Sequence, residues 1–223
     1  MRDHTFETEE QILQFIRNSL KPLKNVPLKL IIKALSGYDV EPFNYSDERD
    51  LNLLENLKHV ATLAGETINK KGICRTRANE VGNGIEKFVK DALIDVGYKA
   101  DTPKTITGKR ESTGYPDIEF IDEYGRTHYI ECKTYNVHTI STTQRSFYLS
   151  PSEDFMITSS RHHFVISYEI YQAWQVNNKK IFKCKNWKIL SIDMLLCDIK
   201  YEFNSDNKRL YSQSLTLAED IIE

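Results

Sequence analysis

The chain has 223 residues, and its 30 Lys and Arg against 32 Asp and Glu give a formal net charge of −2 at pH 7. With 40% hydrophobic and 28% charged residues it falls among folded globular chains, and its length suits one domain, or one with an appended subdomain. No run approaches the roughly 18 apolar residues of a membrane span, and MRDHTFETEEQ carries acids where a signal peptide needs an apolar stretch, so neither secretion nor membrane insertion is expected. Cys74, Cys132, Cys184 and Cys197 form no CxxC pair; a zinc site and a disulfide framework are not expected, and reduced thiols in a cytoplasm are. The near-neutral charge excludes a purely electrostatic nucleic-acid coat protein, but not a binder with its positive charge gathered on one face.

In chain order, residues 1–70 read as helical. Ile12, Leu13, Phe15, Ile16 and Leu20 recur at helical spacing, with Pro22 and Pro27 marking a break. PLKLIIKAL predicts a short helix ending near Gly37. Ser46 is placed to cap a long helix carrying Leu51, Leu54, Leu57, Val60, Ala61, Ala64 and Ile68. Residues 79–97 hold the clearest amphipathic pattern, with Val81, Ile85, Phe88, Val89, Ala92, Leu93 and Val96 on one stripe and Gly97 at its end.

Strand patterns follow. DIEFI (117–121), the turn-like DEYGR (122–126) and THYIECKTY (127–135) predict a β-hairpin. HFVISYEIY (163–171) is a further strand, Lys180 to Ile192 one or two more, and the last thirty residues a helix, a loop and a helix. The fold class expected is α/β or α+β around a mixed sheet.

The chemistry concentrates in Pro116-Asp117 and Glu131-Cys132-Lys133. Strand alternation puts Tyr129, Glu131 and Lys133 on one face and Ile130, Cys132 and Thr134 on the other. Asp117 begins the partner strand, so two carboxylates converge at one end of the hairpin. Such a pair is an oxygen-rich site suited to Mg²⁺, which keeps several waters and accepts phosphate oxygens as further ligands. The metal would acidify water and neutralise a phosphate under attack, and a neighbouring lysine would orient that water and stabilise developing negative charge. These are the requirements of phosphodiester hydrolysis. Chance supplies a Pro-Asp followed by ExK in about 4–5% of chains this long, so the strand–turn–strand setting carries much of the signal.

GYPDIEF (114–120), YIECKTY (129–135) and the helix NEVGNGIEKFVKDALIDVGY (79–98) together resemble the PD-(D/E)XK nucleases, most closely the type II restriction endonucleases. The resemblance covers about 60 residues, roughly 79–135, with three diagnostic positions. It implies a mixed central sheet flanked by helices, Mg²⁺-dependent cleavage of duplex DNA leaving 5′-phosphates, Mn²⁺ as a substitute metal, a homodimer and a prokaryotic cytoplasm, with no nucleotide cofactor. It also implies that Asp117 and Glu131 are metal ligands and Lys133 the catalytic lysine, in a catalytic domain spanning 71–223. Residues 1–70 would then form a helical region for dimerisation or for clasping DNA.

Members of that superfamily often carry an acid in the preceding helix. Glu86, bordering the apolar stripe beside Leu93, is the preferred candidate over Glu80, which points away and can favour the helix N-terminus through its dipole. Gly82 and Gly84 each cost roughly 1 kcal/mol in a helix interior; either close backbone approach explains them or the regular helix begins near Ile85.

Cations cluster at Lys70, Lys71, Arg75 and Arg77, at Lys104, Lys109 and Arg110 beside the proposed site, and at Lys179, Lys180, Lys183, Lys185 and Lys188. Phosphate contact and a solvated face both explain such clusters, and the group next to the carboxylates is preferred for DNA. In NVHTISTTQRSFYLSPS (136–152), Gln144 and Arg145 are candidates for reading base edges. His162 and His163 face opposite ways in a strand, so one should be packed and one exposed. Competing readings are a structure-specific or repair nuclease such as a junction resolvase, and a non-catalytic DNA-binding module. Retention of two buried acids with a lysine argues against the module.

Overall fold

The apolar alternation of residues 163–171 continues into a longer strand than the sequence predicts, and that strand anchors the sheet. The computed structural model describes residues 8–19, 23–77, 80–110, 114–138, 140–143, 145–150, 154–199, 206–210 and 214–215. Its elements are α1 (Glu9–Ser19), β1 (Val26–Pro27), α2 (Leu28–Ser36), α3 (Glu48–Lys71), β2 (Ile73–Arg75), α4 (Gly82–Asp95) and β3 (Lys99–Asp101). They continue with β4 (Ile118–Ile121), β5 (Thr127–Tyr135), β6 (His163–Val176), β7 (Lys179–Ser191), β8 (Leu196–Cys197) and α5 (Asn207–Leu210).

Six strands form one sheet in the order β2-β7-β6-β5-β4-β3, while β1 and β8 make a separate two-stranded pair. Only the β5–β6 pairing is parallel; the other four are antiparallel. This is the mixed α+β architecture, a central sheet with flanking helices, that the sequence predicts. Two compact units are present: residues 27–196, which hold the six-stranded sheet, and residues 1–26 with 197–223. In the second, α1 buries none of its residues, leaving Ile12, Leu13 and Phe15 exposed.

In the first unit, α3 and α4 cover one face of the sheet. Leu53, Leu57, Val60, Ala61, Ala64 and Ile68 of α3 and Ile85, Val89, Ala92 and Leu93 of α4 join Ile118, Phe120, Ile130, Phe164, Ile166, Tyr168 and Phe182 in a single core. Burial of such side chains, each worth about 1.5–3 kcal/mol, is what holds the layers together. The Tyr168 hydroxyl donates to the Ala61 carbonyl at 3.0 Å and so fixes α3 across the sheet.

Several expectations change in detail. The cap of α3 is Asp47, not Ser46: its carboxylate accepts from the Arg49 N–H at 2.9 Å, which a serine one residue earlier is not placed to do. Helix α4 begins at Gly82 rather than near Ile85. A Cβ on Gly84 would lie 3.2 Å from Arg75 Nη2 and 3.4 Å from Ile73 Cγ2, so close approach of β2 is what the glycine serves. Residues 179–191 form one strand, with bulges where β7 pairs β6. Of the C-terminal helices expected, four residues of α5 are seen; Leu20, Pro22 and most of the last twenty-four residues lie outside those described.

His162 and His163 are both buried, at 3% and 0% exposure. Each finds its own polar partner, which is why neither has to face solvent. His162 meets the Glu41 carbonyl at 2.9 Å and Asp50 at 3.1 Å, and its ring stacks on His128 at 5.2 Å. Asp122 accepts from Arg126 at 2.7 Å and lies 3.1 Å from His128, while Arg126 also reaches Asp50 at 2.6 Å. A polar cavity of about 330 Å³ opens beside this network, its arginines held by acids: Arg49 by Asp47 at 2.7 Å and Arg161 by Glu41 at 2.8 Å.

Arg126→Met should cost about 3–5 kcal/mol in urea unfolding, because it removes the guanidinium that the buried acids Asp50 and Asp122 share. The histidines set an acid limit. Burial pushes His128 down to about 4 and His163 to about 3, so both are neutral in the folded chain while the unfolded chain takes up protons near 6.5. Their contribution is complete above that value and is lost as pH falls towards 4. Stability should drop by about 1 kcal/mol per histidine per pH unit across that window, measured by denaturation at pH 7, 6 and 5.

Candidate active site

The β4–β5 turn determines which residues face each other. Asp122 Oδ1 accepts from the N–H groups of Tyr124 at 2.9 Å and Arg126 at 2.8 Å, and Gly125 takes φ 74° to close the loop. With that turn fixed, Ile118 pairs with Ile130. One step further, Asp117 falls opposite Glu131. Asp117 Oδ2 accepts from the Cys132 N–H at 2.7 Å, so its carboxylate lies across the rung beside Glu131.

Lys133 and Glu131 form an ion pair through Glu131 Oε1. The other oxygen, Oε2, is buried without a hydrogen-bond partner among the described residues. An uncompensated carboxylate oxygen of this kind is costly, and a cation is the ligand that offsets it. Burial first and the Asp117 charge second push Glu131 up to about 7, against the opposing pull of Lys133. Burial also raises Asp117, and raises Glu86 with Asp117 as second cause. Glu86 sits on α4 with its carboxylate 4.0 Å from Lys90.

The structure thus brings Asp117, Glu131 and Lys133 together, with Glu86 in their electrostatic field. Among the described residues no group of three or more His, Cys, Asp or Glu side chains is arranged to hold a metal ion. Glu80 lies elsewhere, its carboxylate accepting from the Arg77 N–H at 3.3 Å. Cys132 is buried and its thiol raised by that burial, which makes it an inert packing residue beside the site.

Among the sequence-selected cations, Arg110 is bound to Asp101 at 2.7 Å and donates to the Thr102 carbonyl at 2.8 Å. The backbones of Lys104 and Arg110 pair in an isolated antiparallel β-bridge, Lys109 lies in the same loop, and the charges of Arg110 and Lys104 both act on Glu119 of β4. Arg75 donates to the carbonyls of Glu80 at 3.2 Å and Cys74 at 2.9 Å, and Arg77 is exposed. The Arg145 guanidinium stacks over Tyr148 at 4.2 Å, and Gln144 lies outside the described residues.

Sequence reasoning missed the pairing of Tyr115 with His163. The Tyr115 hydroxyl shares a hydrogen bond of 2.7 Å with His163 Nδ1, which holds the segment leading into Asp117 against β6. Their partnership spans 48 residues, and no local signal marks it.

A family model described as the type II restriction enzyme MjaV family matches residues 22–214. The chain belongs to that family. It is 36% identical over 225 residues to the type II restriction enzyme MjaV of Methanocaldococcus jannaschii, covering 94% of this chain and 95% of that enzyme. No solved structure matches. Among the described residues no helix is long and apolar enough to cross a membrane.

In metal-free protein, Asp117→Asn should lower the Glu131 titration midpoint while leaving it above the ordinary carboxylate range, since burial persists. Carbon-detected NMR titration of the glutamate carboxyls measures this; an unmoved midpoint would show that the two acids do not share a field.

Proposed function

We propose that this chain is a Mg²⁺-dependent restriction endonuclease of the PD-(D/E)XK kind, cutting both strands of duplex DNA at a short sequence and leaving 5′-phosphates, as a homodimer. The observation that carries this reading is the Asp117–Glu131 pair, Asp117 half-buried and Glu131 buried with an unpartnered carboxylate oxygen, and Lys133 bound beside it. Two oxygen donors and no nitrogen or sulfur ligand suit a hard cation that keeps its remaining positions for water and phosphate, and Mn²⁺ meets the same demand. Membership of a restriction-enzyme family supports the same conclusion.

When bound, the metal supplies Lewis-acid stabilisation of the phosphate and acidifies water. The protein's own residues do the rest. Asp117 and Glu131 hold the cation, Asp117 being kept in place by the Cys132 N–H. Lys133, 29% exposed at its side chain, has access to the phosphate; its ammonium orients the attacking water and stabilises the added negative charge. The attacking water gives up a proton to solvent as its oxygen bonds to phosphorus, the bond to the 3′ oxygen breaks, and the leaving oxygen takes a proton from solvent. Glu86, at the margin, adds negative field that favours retention of the cation.

Digestion of unmethylated phage or plasmid DNA with Mg²⁺ tests this. Wild type should give discrete fragments whose 5′ ends accept label only after phosphatase treatment. Lys133→Ala and Asp117→Ala should each lose at least about 100-fold in rate. A smear lost in both variants would remove sequence specificity from the reading, and intact DNA with wild type would overturn it.

A further inference from the structure

The sheet has two faces, and α3 and α4 cover one. Residues paired across strands share a face, as do alternate residues along a strand. Lys133 pairs with Ser167 and Ser167 with Lys188, so Lys188 stands on the face of the catalytic lysine, two strand spacings or roughly 10 Å away. Following the register outward, through the bulges, Tyr171 pairs with Lys183, Trp174 with Ile181 and Val176 with Lys179. Lys183 and Lys179 therefore continue the same face, while Phe182 and Cys184 turn into the helix-covered core.

This outer half of the β6–β7 ribbon is chemically distinct. Residues 170–192 contain five lysines and no acid, in a chain whose net charge is −2. Tyr171 and Trp174 are 45% and 48% exposed. The Lys183 ammonium lies 4.9 Å from the Trp174 ring centre and that of Lys188 5.7 Å from Tyr135, so aromatic faces hold two of the lysines. The neighbouring acid, Glu169, is 6% exposed and already accepts from Asn186 at 2.7 Å. This contrasts with the loop beside the site, where Arg110 is committed to Asp101.

We propose that the outer β6–β7 ribbon is a DNA-backbone surface continuous with the catalytic carboxylates, with Lys188, Lys183 and Lys179 contacting phosphates that flank the scissile one and Trp174 holding Lys183. This rests on the endonuclease reading above. The chemistry favours a polyanion over a second copy of the chain, because a two-fold contact through this face would set lysines against the same lysines. Lys183 and Lys179 are about 14 Å apart along an extended strand, and duplex DNA carries one charge per about 1.7 Å of axis, so both fall among phosphates.

The test is binding of a fluorescein-labelled, mixed-sequence 40-base-pair duplex to metal-free protein over a range of salt concentrations. The triple variant Lys179→Ala, Lys183→Ala, Lys188→Ala is set beside wild type and a charge-matched control, Lys58→Ala, Lys87→Ala, Lys99→Ala. The ribbon variant should bind at least tenfold more weakly at 100 mM salt, with the slope of log K against log salt reduced by about 2–3, near 0.9 for each lost phosphate contact. The control should keep the wild-type slope to within about one unit. Trp174→Ala should weaken binding several-fold, with Trp174→Phe restoring most of the loss. With Mg²⁺ the ribbon variant should lose kcat/KM while kcat at saturating DNA stays within about twofold of wild type.

A ribbon variant indistinguishable from the control overturns the inference while leaving the endonuclease reading intact. So does unchanged DNA affinity with a fall in mass by light scattering, which would make the ribbon an interface between copies. Failure of wild type itself to bind or cut duplex DNA overturns the endonuclease reading instead. Circular dichroism melts matching wild type establish that the variants are folded.

Discussion

Asp122 is the residue on which the arrangement depends. One carboxylate accepts two backbone N–H groups of its own turn, binds Arg126 and approaches His128. Those bonds set the hairpin register, and a one-residue slip would turn every side chain of β5 to the opposite face. Register is what places Asp117 beside Glu131. Arg126 carries the same constraint to α3 through Asp50, and His162 carries it to the start of β6. A turn at one end of β5 thus aligns the acids at the other.

The site itself is arranged against local stability. Two acids share a rung, Glu131 buried and Asp117 half-buried, and burial pushes the carboxyls of both upward, Glu131 to about 7. The Lys133 pair offsets part of this, and one Glu131 oxygen is left without a hydrogen bond. Such groups would gain from a bound cation, and in the function proposed above the folded chain is preorganised for one. The cost is borne by the core on the opposite face, where the apolar sides of α3 and α4 are almost fully buried.

The division of the sheet into a packed face and a charged face follows from the same alternation. Phe164, Ile166 and Tyr168 point to the helices while Val165, Ser167 and Glu169 point away, and the bulges in β6–β7 allow a long ribbon to twist without losing that parity. Near-neutral total charge therefore says little about the surface a substrate meets. The lysines of residues 179–188 occupy a stretch without acids, whereas the cations near Asp117 are matched by Asp101 and Glu119.

The sequence by itself determined the elements whose causes are local. The hairpin was legible because Asp122, Gly125 and the flanking apolar runs lie within nineteen residues, and α4 because its stripe repeats within one helix. The Asp117, Glu131 and Lys133 constellation was legible for the same reason, its spacing being a property of one hairpin. Only the tertiary structure decided what depends on distant partners. Asp50 meets Arg126 across 76 residues, Tyr115 meets His163 across 48, and His162 meets the Glu41 carbonyl across 121. That both His162 and His163 are buried, which arginine is already neutralised and which lysines share the face of Lys133 are set by strand order and register. Those come from packing the whole sheet, where burial of large apolar surfaces outweighs any preference a short segment can express.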